Sequence, residues 1–464
     1  MAGQSRRPDG AGCTSWGLIV ARVILDDLAA RGLVHDTTDP AALRSLLQAG
    51  PVVLYHGIDP SASSLHLGNL VGILVLRRFQ EAGHVPLVLV GGATGMIGDP
   101  SGRSDERNLL DAETLSANKA GIRAQLERLL DFEGDSGARL VDNHDWTRDV
   151  SMLDFLRDVG KHVTVNQMSA KESVRSRLRS DHGISYTEFS YMLLQAFDFW
   201  VLHERHGCRL QIGGSDQWGN ITAGIDLVRR RSGESVHGLT WPLMTRADGQ
   251  KFGKSAAGAV WLDPQRTSPY EFHQHFLRSD DRDVDRFLLQ MTMLSTEEIG
   301  AVMAEHRSAP EARSAQRRLA DAVTELIHGP AEARRANLAA RALFGSGRSG
   351  SADPGAARSP ATAQETASAE PLSSELIEAL RGIVPETVLD RGSAPDSHEP
   401  VVELCVASGV CSSKGEARRT IAQGGLHANG ERVGDPAHVP DLVDGRFVLL
   451  RRGKHQHHLV VIEG

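Results

Sequence analysis

"PVVLYHGIDPSASSLHLGNLVGILVLRRFQEAGHVPLVLVGGATGMIGDP", residues 51–100, reads as strand, helix, strand. The first apolar run ends at Tyr55, and Gly57 and Pro60 then mark a turn. A helix follows from near Leu65, with Ser63 or Ser64 as its cap, and "HVPLVLV" forms a second apolar run closed by Gly91 and Gly92. Two strands joined by a helix make a βαβ unit, which calls for a parallel sheet with helices on its faces. The same alternation continues from about residue 20 to 245, so the expected class is α/β. Such sheets bind ligands where the carboxyl ends of their strands turn into helices. At the first of these turns His66 and Asn69 lie three apart, so imidazole and amide share one helical face beside the unpaired N–H groups that attract phosphate. Gly68, between them, leaves space for a flat base.

At 464 residues the chain exceeds one ordinary core, and two or three domains are expected. Hydrophobic residues at 40% and charged residues at 24% fit a soluble globular protein, and no run approaches the roughly 18 apolar residues of a membrane span. A net charge of -8 argues against a surface that coats nucleic acid throughout, but allows a local basic patch. Cys13, Cys208, Cys405 and Cys411 form no CxxC pair and no zinc-spaced cluster, which predicts free thiols, a reducing cytoplasm and no structural metal.

Composition divides the chain further. Residues 1–20 form a loose leader and 21–267 hold the α/β pattern. Residues 268–344 show apolar positions three and four apart, which predicts a helical domain. From Gly345 to Pro371 the chain is mostly Gly, Ser, Ala and Pro, and a second ragged stretch follows, so 345–398 is expected to be a flexible linker. Residues 399–464 form a small mixed domain ending in two apolar runs that flank "RRGKHQHH" like a hairpin.

Two more Gly-containing turns belong to the α/β part: "GGSDQWGN", residues 213–220, and "KFGKS", residues 251–255. With "YHGIDPSASSLHLGN", "GGATGMIGDPSGR" and "YMLLQAFDF", they occur in an order and at a spacing that resembles the class I aminoacyl-tRNA synthetases, and among these the bacterial tyrosyl-tRNA synthetases. The resemblance runs from about residue 24 through the helical segment and resumes in the C-terminal domain. It implies a Rossmann-like catalytic domain, a helical anticodon-side domain and an S4-like RNA-binding domain. It further implies ATP with Mg2+, L-tyrosine and tRNA(Tyr) as partners, and a homodimer.

Carried over residue by residue, the resemblance assigns Ser61, His66, Lys251, Lys254 and Ser255 to the β- and γ-phosphates of ATP, with Arg103 and Arg107 closing from the opposite loop, and Asn69 to ribose or phosphate. Asn69 departs from the family signature, which has histidine there; its amide still offers a donor of similar reach. Tyr55 and Asp198 would hold the substrate phenol, and Asp99, Tyr191 and Gln195 its ammonium. Gly57, Asp59, Gly68, Gly214, Asp216 and Gln217 would contact adenosine or the amino-acid carboxylate. In "SGVCSSKGEARRTIAQGGLHANGERV" the basic helix bearing Lys414, Arg418 and Arg419 looks like the RNA-contacting element of an S4-type module. One rival reading is an adenylating enzyme that has lost tRNA, which the basic module speaks against. Another is a non-catalytic RNA-binding protein, which Lys251, Lys254 and His66 speak against.

Overall fold

The computed structural model describes residues 24–99, 111–179, 183–249, 252–255, 258–344, 372–390, 400–453 and 456–463. Arg103, Arg107, Lys251 and the expected leader lie outside them. The chain divides into two compact units: Met1–Thr267 with Asp280–Ala301, and Ser268–Ser279 with Val302–Gly464. No helix among the described residues is long and apolar enough to cross a membrane.

The first unit is built on five parallel strands: β1 (Val53–Ile58), β2 (Val85–Val90), β3 (Arg139–Asp142), β4 (Cys208–Gly214) and β5 (His237–Trp241). Their order is β3-β2-β1-β4-β5, with Tyr55 beside Leu87 on one side and Gln211 on the other. Strand order reverses between β1 and β4, and open α/β sheets hold ligands at such a switch point. Every residue of "VPLVLV" in β2 is buried, as helices on both faces require. Helix α1 (Leu67–Glu81) connects β1 to β2, α2 (Ala112–Leu129) precedes β3, and α3 (Tyr186–His206) and α4 (Trp218–Ser232) flank β4. Tyr55 packs edge-on against Phe199 of α3, with ring centroids 5.3 Å apart, in a core shared with Phe197, Leu202 and Leu227.

Two boundaries differ from the sequence expectation. Strand β1 continues past Tyr55 because β2 pairs with it as far as Ile58. Helix α1 starts at Leu67, with His66 rather than a serine as its cap. Ser64 and Leu65 are engaged elsewhere: Leu65 N–H donates to Gln125 Oε1 at 2.9 Å, and Leu65 O accepts from Leu262 N–H at 2.9 Å.

The expected helical domain is also split. Helix α5 (Asp281–Met291) belongs to the first unit, where Arg31 donates to Leu289 O (3.2 Å) and Leu294 O (2.9 Å) and Arg78 donates to Thr292 O. These cations suit the negative end of the helix dipole.

In the second unit the helix Pro269–Leu277 packs with α6 (Ser314–His328) and α7 (Pro330–Phe344). A mixed sheet of order β10-β9-β11-β12-β8 follows, made of β8 (Glu386–Asp390), β9 (Leu426–Ala428), β10 (Glu431–Arg432), β11 (Phe447–Arg452) and β12 (Gln456–Glu463). Strands β11 and β12 pair antiparallel, as the two apolar runs predict. The expected linker 345–398 needs correction over 372–390, which hold helix α8 (Ser374–Leu380) and strand β8, parallel to β12. Ile377 and Leu380 of α8 share one core with Leu343 of α7 and with Phe447, Leu449 and Leu459 of the sheet. The average composition of 345–398 hides this short apolar face, so the C-terminal sheet is not the separate third body that composition suggests. Two further helices, α9 (Val401–Ala407) and α10 (Lys414–Ala422), complete the unit.

Candidate active site

A cavity of about 810 Å³ opens in the first unit at the carboxyl ends of β1 and β4. Fourteen described candidate residues line it: Tyr55, Gly57, Asp59, Ser61, His66, Gly68 and Asn69 from β1 through the start of α1; Asp99 after β2; Tyr191, Gln195 and Asp198 on α3; and Gly214, Asp216 and Gln217 after β4. Positions spread over more than 160 residues of sequence meet here because parallel strands deliver their carboxyl ends to one edge.

One wall is deep and fixed. The Tyr55 hydroxyl is fully buried and has no hydrogen-bond partner among the described residues. Burial, reinforced by the Asp198 charge, pushes its pKa well above the usual phenol range, so it remains a neutral hydroxyl. Asp198, 1% exposed, accepts from Asn143 Nδ2 and Trp146 Nε1, both at 2.9 Å. Burial raises its carboxyl to about 7 against these two donors, which favour the charged form. Neighbouring acceptors form a second cluster. Tyr191 Oη donates to Asp59 Oδ2 (3.0 Å), Thr94 Oγ1 to Asp59 Oδ1 (2.9 Å), and Gln217 Nε2 to Asp99 Oδ2 (2.7 Å). Asn220 Nδ2 joins Gln195 Oε1 and Gln217 Oε1 at 3.1 and 3.2 Å. Two carboxylates and two amide oxygens make this corner a receptor for a cation. Asp59, expected on the nucleotide or carboxylate side, is thus tied to Tyr191.

The opposite wall is a helix terminus and a loop. His66 Nδ1 accepts from Gly68 N–H at 3.0 Å, and Asn69 Oδ1 accepts from His66 N–H at 3.1 Å. Expected as first-turn neighbours aimed outward, the two residues cap their own helix. The bonds fix their polarity: Nδ1 is an acceptor, so the imidazole proton sits on Nε2, and the Asn69 amide retains Nδ2 as a donor. A Cβ at Gly68 would lie 2.8 Å from His66 Cε1, so glycine lets the ring fold back over the turn. The "KFGKS" segment reaches the same terminus. Leu67 N–H donates to Val260 O (3.0 Å) and Val260 N–H to Gly253 O (2.9 Å), while Gly253 adopts φ +85°. The backbone of Lys254–Ser255 pairs antiparallel with Gly258–Ala259; the side chains of Lys254 and Ser255 lie outside the described set.

The sequence reading missed four lining or supporting groups. Asn143 and Trp146 follow the carboxyl end of β3, a position that open-sheet logic could have flagged. Gln211 on β4 lines the cavity beside Tyr55 with its Oε1 buried and, among the described residues, unpartnered. His56, held through Nδ1 to Ile212 O at 3.2 Å, has its pKa lowered to about 4 by burial, so it is neutral near pH 7. Among the described residues no His, Cys, Asp or Glu group of three or more is arranged to hold a metal.

In the second unit Lys414, Arg418 and Arg419 lie on α10; all three are exposed, and Lys414 pairs with Glu403.

Residues 47–345 match the family of tRNA synthetases class I (W and Y), and residues 377–460 match the tyrosine–tRNA ligase SYY-like C-terminal domain. The chain is 50% identical over 443 residues to the tyrosine–tRNA ligase of Opitutus terrae, covering 95% of this chain and 99% of that protein. It is also 50% identical over 442 residues to that of Bacillus caldotenax, covering 94% and 99%. A crystal structure of a C-terminally truncated Aspergillus nidulans mitochondrial tyrosyl-tRNA synthetase superposes with a TM-score of 0.63 at 31% identity, covering 71% of this chain and 98% of that one. The chain belongs to the tyrosine–tRNA ligase family of the class I tRNA synthetases.

Proposed function

We propose that the chain joins L-tyrosine to tRNA(Tyr) in two steps within this cavity. In the first, a carboxylate oxygen of tyrosine attacks the α-phosphate of ATP, and the bond to the bridging oxygen breaks to release pyrophosphate. In the second, a hydroxyl of the terminal tRNA ribose attacks the carbonyl of tyrosyl-adenylate, and AMP leaves. The first nucleophile is already ionised, so no tuned general base is needed and donors placed where charge develops carry the catalysis. Ser61, the His66 Nε2–H and the Asn69 amide, with Lys251, Lys254 and Ser255, are our candidates for the phosphates, and Arg103 and Arg107 for the facing side. Mg2+ would enter as the counterion of ATP.

The observation that carries the reading is the Tyr55 hydroxyl, buried without a partner among the described residues on the cavity wall that also bears Asp198. An unpaired buried hydroxyl costs roughly 1–3 kcal/mol, a cost that a substrate phenol would relieve. The acceptor corner of Asp59, Asp99, Gln195 and Gln217 suits the ammonium of the same substrate, with Tyr191 orienting Asp59. Gly57, Gly214 and Asp216 border the space left for adenosine.

We assign the chain to a homodimer. Support comes from the segment between β3 and α3, where Met152, Leu153, Leu156, Val165, Leu178 and Tyr186 are 42–78% exposed, an apolar display that a second copy would cover. A reducing cytoplasm suits Cys208, Cys405 and Cys411, all free. Tyrosine-dependent exchange of pyrophosphate into ATP, followed by charging of purified tRNA, tests the proposal. Both activities are expected, and exchange that ignores tyrosine would contradict it.

A further inference from the structure

Helix α5 follows the α/β pattern in sequence, yet packs into the unit that holds the cavity. Its carboxyl end is riveted through Arg31 and Arg78 to Leu289, Thr292 and Leu294 carbonyls. Its other end reaches the chain just before "KFGKS". Asp283, 3% exposed, accepts from Ala247 N–H at 2.8 Å and pairs with Arg286 at 2.6 Å, and Arg286 also donates to Thr245 O. One turn on, Phe287 packs against Phe252 with ring centroids 4.4 Å apart, and Phe252 N–H donates to Met244 O at 3.1 Å. Met244, Thr245, Phe252 and Gly253 line the cavity on the side of the His66 turn. Arg78 lies on α1, whose first turn is bonded to Val260. The helix terminus, the loop that follows β5 and α5 therefore form a closed circuit of contacts.

We propose that Asp283 and Arg286 are positioning residues that fix the nucleotide-side wall of the cavity by clamping Thr245 and Ala247. Neither touches the cavity, so each acts through the backbone it holds. A buried carboxylate is a demanding device for joining two segments, because removing it leaves Ala247 N–H without this acceptor and the Arg286 guanidinium with Thr245 O but no counter-charge from Asp283. Precise placement of a phosphate-binding loop explains its use: misplacement by about 1 Å can cost on the order of a hundred-fold in rate. The inference rests on the ligase reading above.

The test is single-turnover formation of tyrosyl-adenylate by the full chain, with tyrosine affinity measured separately in the absence of ATP. Asp283→Ala is expected to lower the activation rate constant about ten-fold or more and to leave tyrosine affinity within about two-fold. Asp283→Asn, which keeps an acceptor for Ala247 N–H, should fall between it and the unmodified chain. Arg286→Met, at a side chain 37% exposed, should move in the same direction by less and serves if Asp283→Ala does not fold. Activation within about two-fold of normal in the folded variants would overturn the inference, as would tyrosine affinity falling in step with activation, which marks a merely structural role. An unmodified chain without tyrosine-dependent exchange would sink the ligase reading itself, and this inference with it.

Discussion

The two walls of the cavity are built on opposite plans. On the wall of Tyr55, Asp198 is held by Asn143 and Trp146, Asp59 by Tyr191 and Thr94, and Asp99 by Gln217, so the groups are fixed before any ligand arrives. On the wall of the His66 turn, His66 and Asn69 cap their own helix, and the loop after β5 is held by its base. On the proposed function, the first wall discriminates between small molecules that differ by one hydroxyl, and the second receives a polyanion whose charge shifts during reaction, where donors gain most by strengthening in the transition state. Changes on the first wall should therefore alter tyrosine affinity, and changes on the second the rate of activation.

The largest effect is expected from Lys254→Ala, which should depress the activation rate constant by about 10²–10³ with tyrosine affinity unchanged, as for loss of a donor to developing charge. Stopped-flow measurement of adenylate formation checks this, and an equal loss of tyrosine affinity would break the separation of the walls. Next in size, Asp198→Ala should weaken tyrosine binding about ten- to a hundred-fold, the effect of one charge-assisted hydrogen bond, with ATP affinity nearly intact by equilibrium binding. The raised carboxyl adds a pH signature. With a value of about 7 set by burial, Asp198 loses its charge as pH falls through 7, so tyrosine affinity should decline from pH 8 to 6, and this slope should vanish in Asp198→Asn.

A smaller effect with opposite signs in two assays is expected from Tyr55→Phe. Tyrosine affinity should drop about three- to ten-fold, whereas thermal stability of the free protein should rise, because a buried hydroxyl without a partner is removed. Smallest at the cavity, reversing the charges of Arg418 and Arg419 should leave adenylate formation unaltered while weakening tRNA binding and flattening its salt dependence. Deleting the chain from Val401 onward is a poorer probe, since it strips Phe447, Leu449 and Leu459 from the core they share with Leu343, Ile377 and Leu380.

What the sequence reveals and hides follows the same physics. The βαβ unit is legible because β2 is buried throughout and β1 at Leu54 and Tyr55, so that each shows as a short apolar run closed by a turn. The cavity residues are legible because strand ends in such a sheet converge by topology, and short turns mark them. The exact start of α1 is not, since Ser64 is a good cap by type but its hydroxyl is engaged by Gln125 Nε2 and Asp263 N–H, which are distant in sequence. Asn143 and Trp146 are hidden for a related reason: nothing in "VDNHDW" announces a carboxylate on α3. Helix α5 reads as part of the helical run that follows the α/β pattern, and it is contacts distant in sequence, among them the carbonyl bonds to Arg31 and Arg78 and the Asp283–Ala247 bond, that assign it to the first unit. Helix α8 is too short for its two or three apolar residues to stand out against a Gly-, Ser- and Ala-rich background.

The ratio of kcat/KM for tyrosine over phenylalanine in pyrophosphate exchange, measured for the unmodified chain and for Asp198→Ala, bears most directly on the claim that a pre-built phenol receptor decides the substrate. A strong preference for tyrosine is predicted in the unmodified chain, collapsing in Asp198→Ala mainly through loss of activity with tyrosine. A preference that survives the substitution would place the receptor elsewhere and contradict the account.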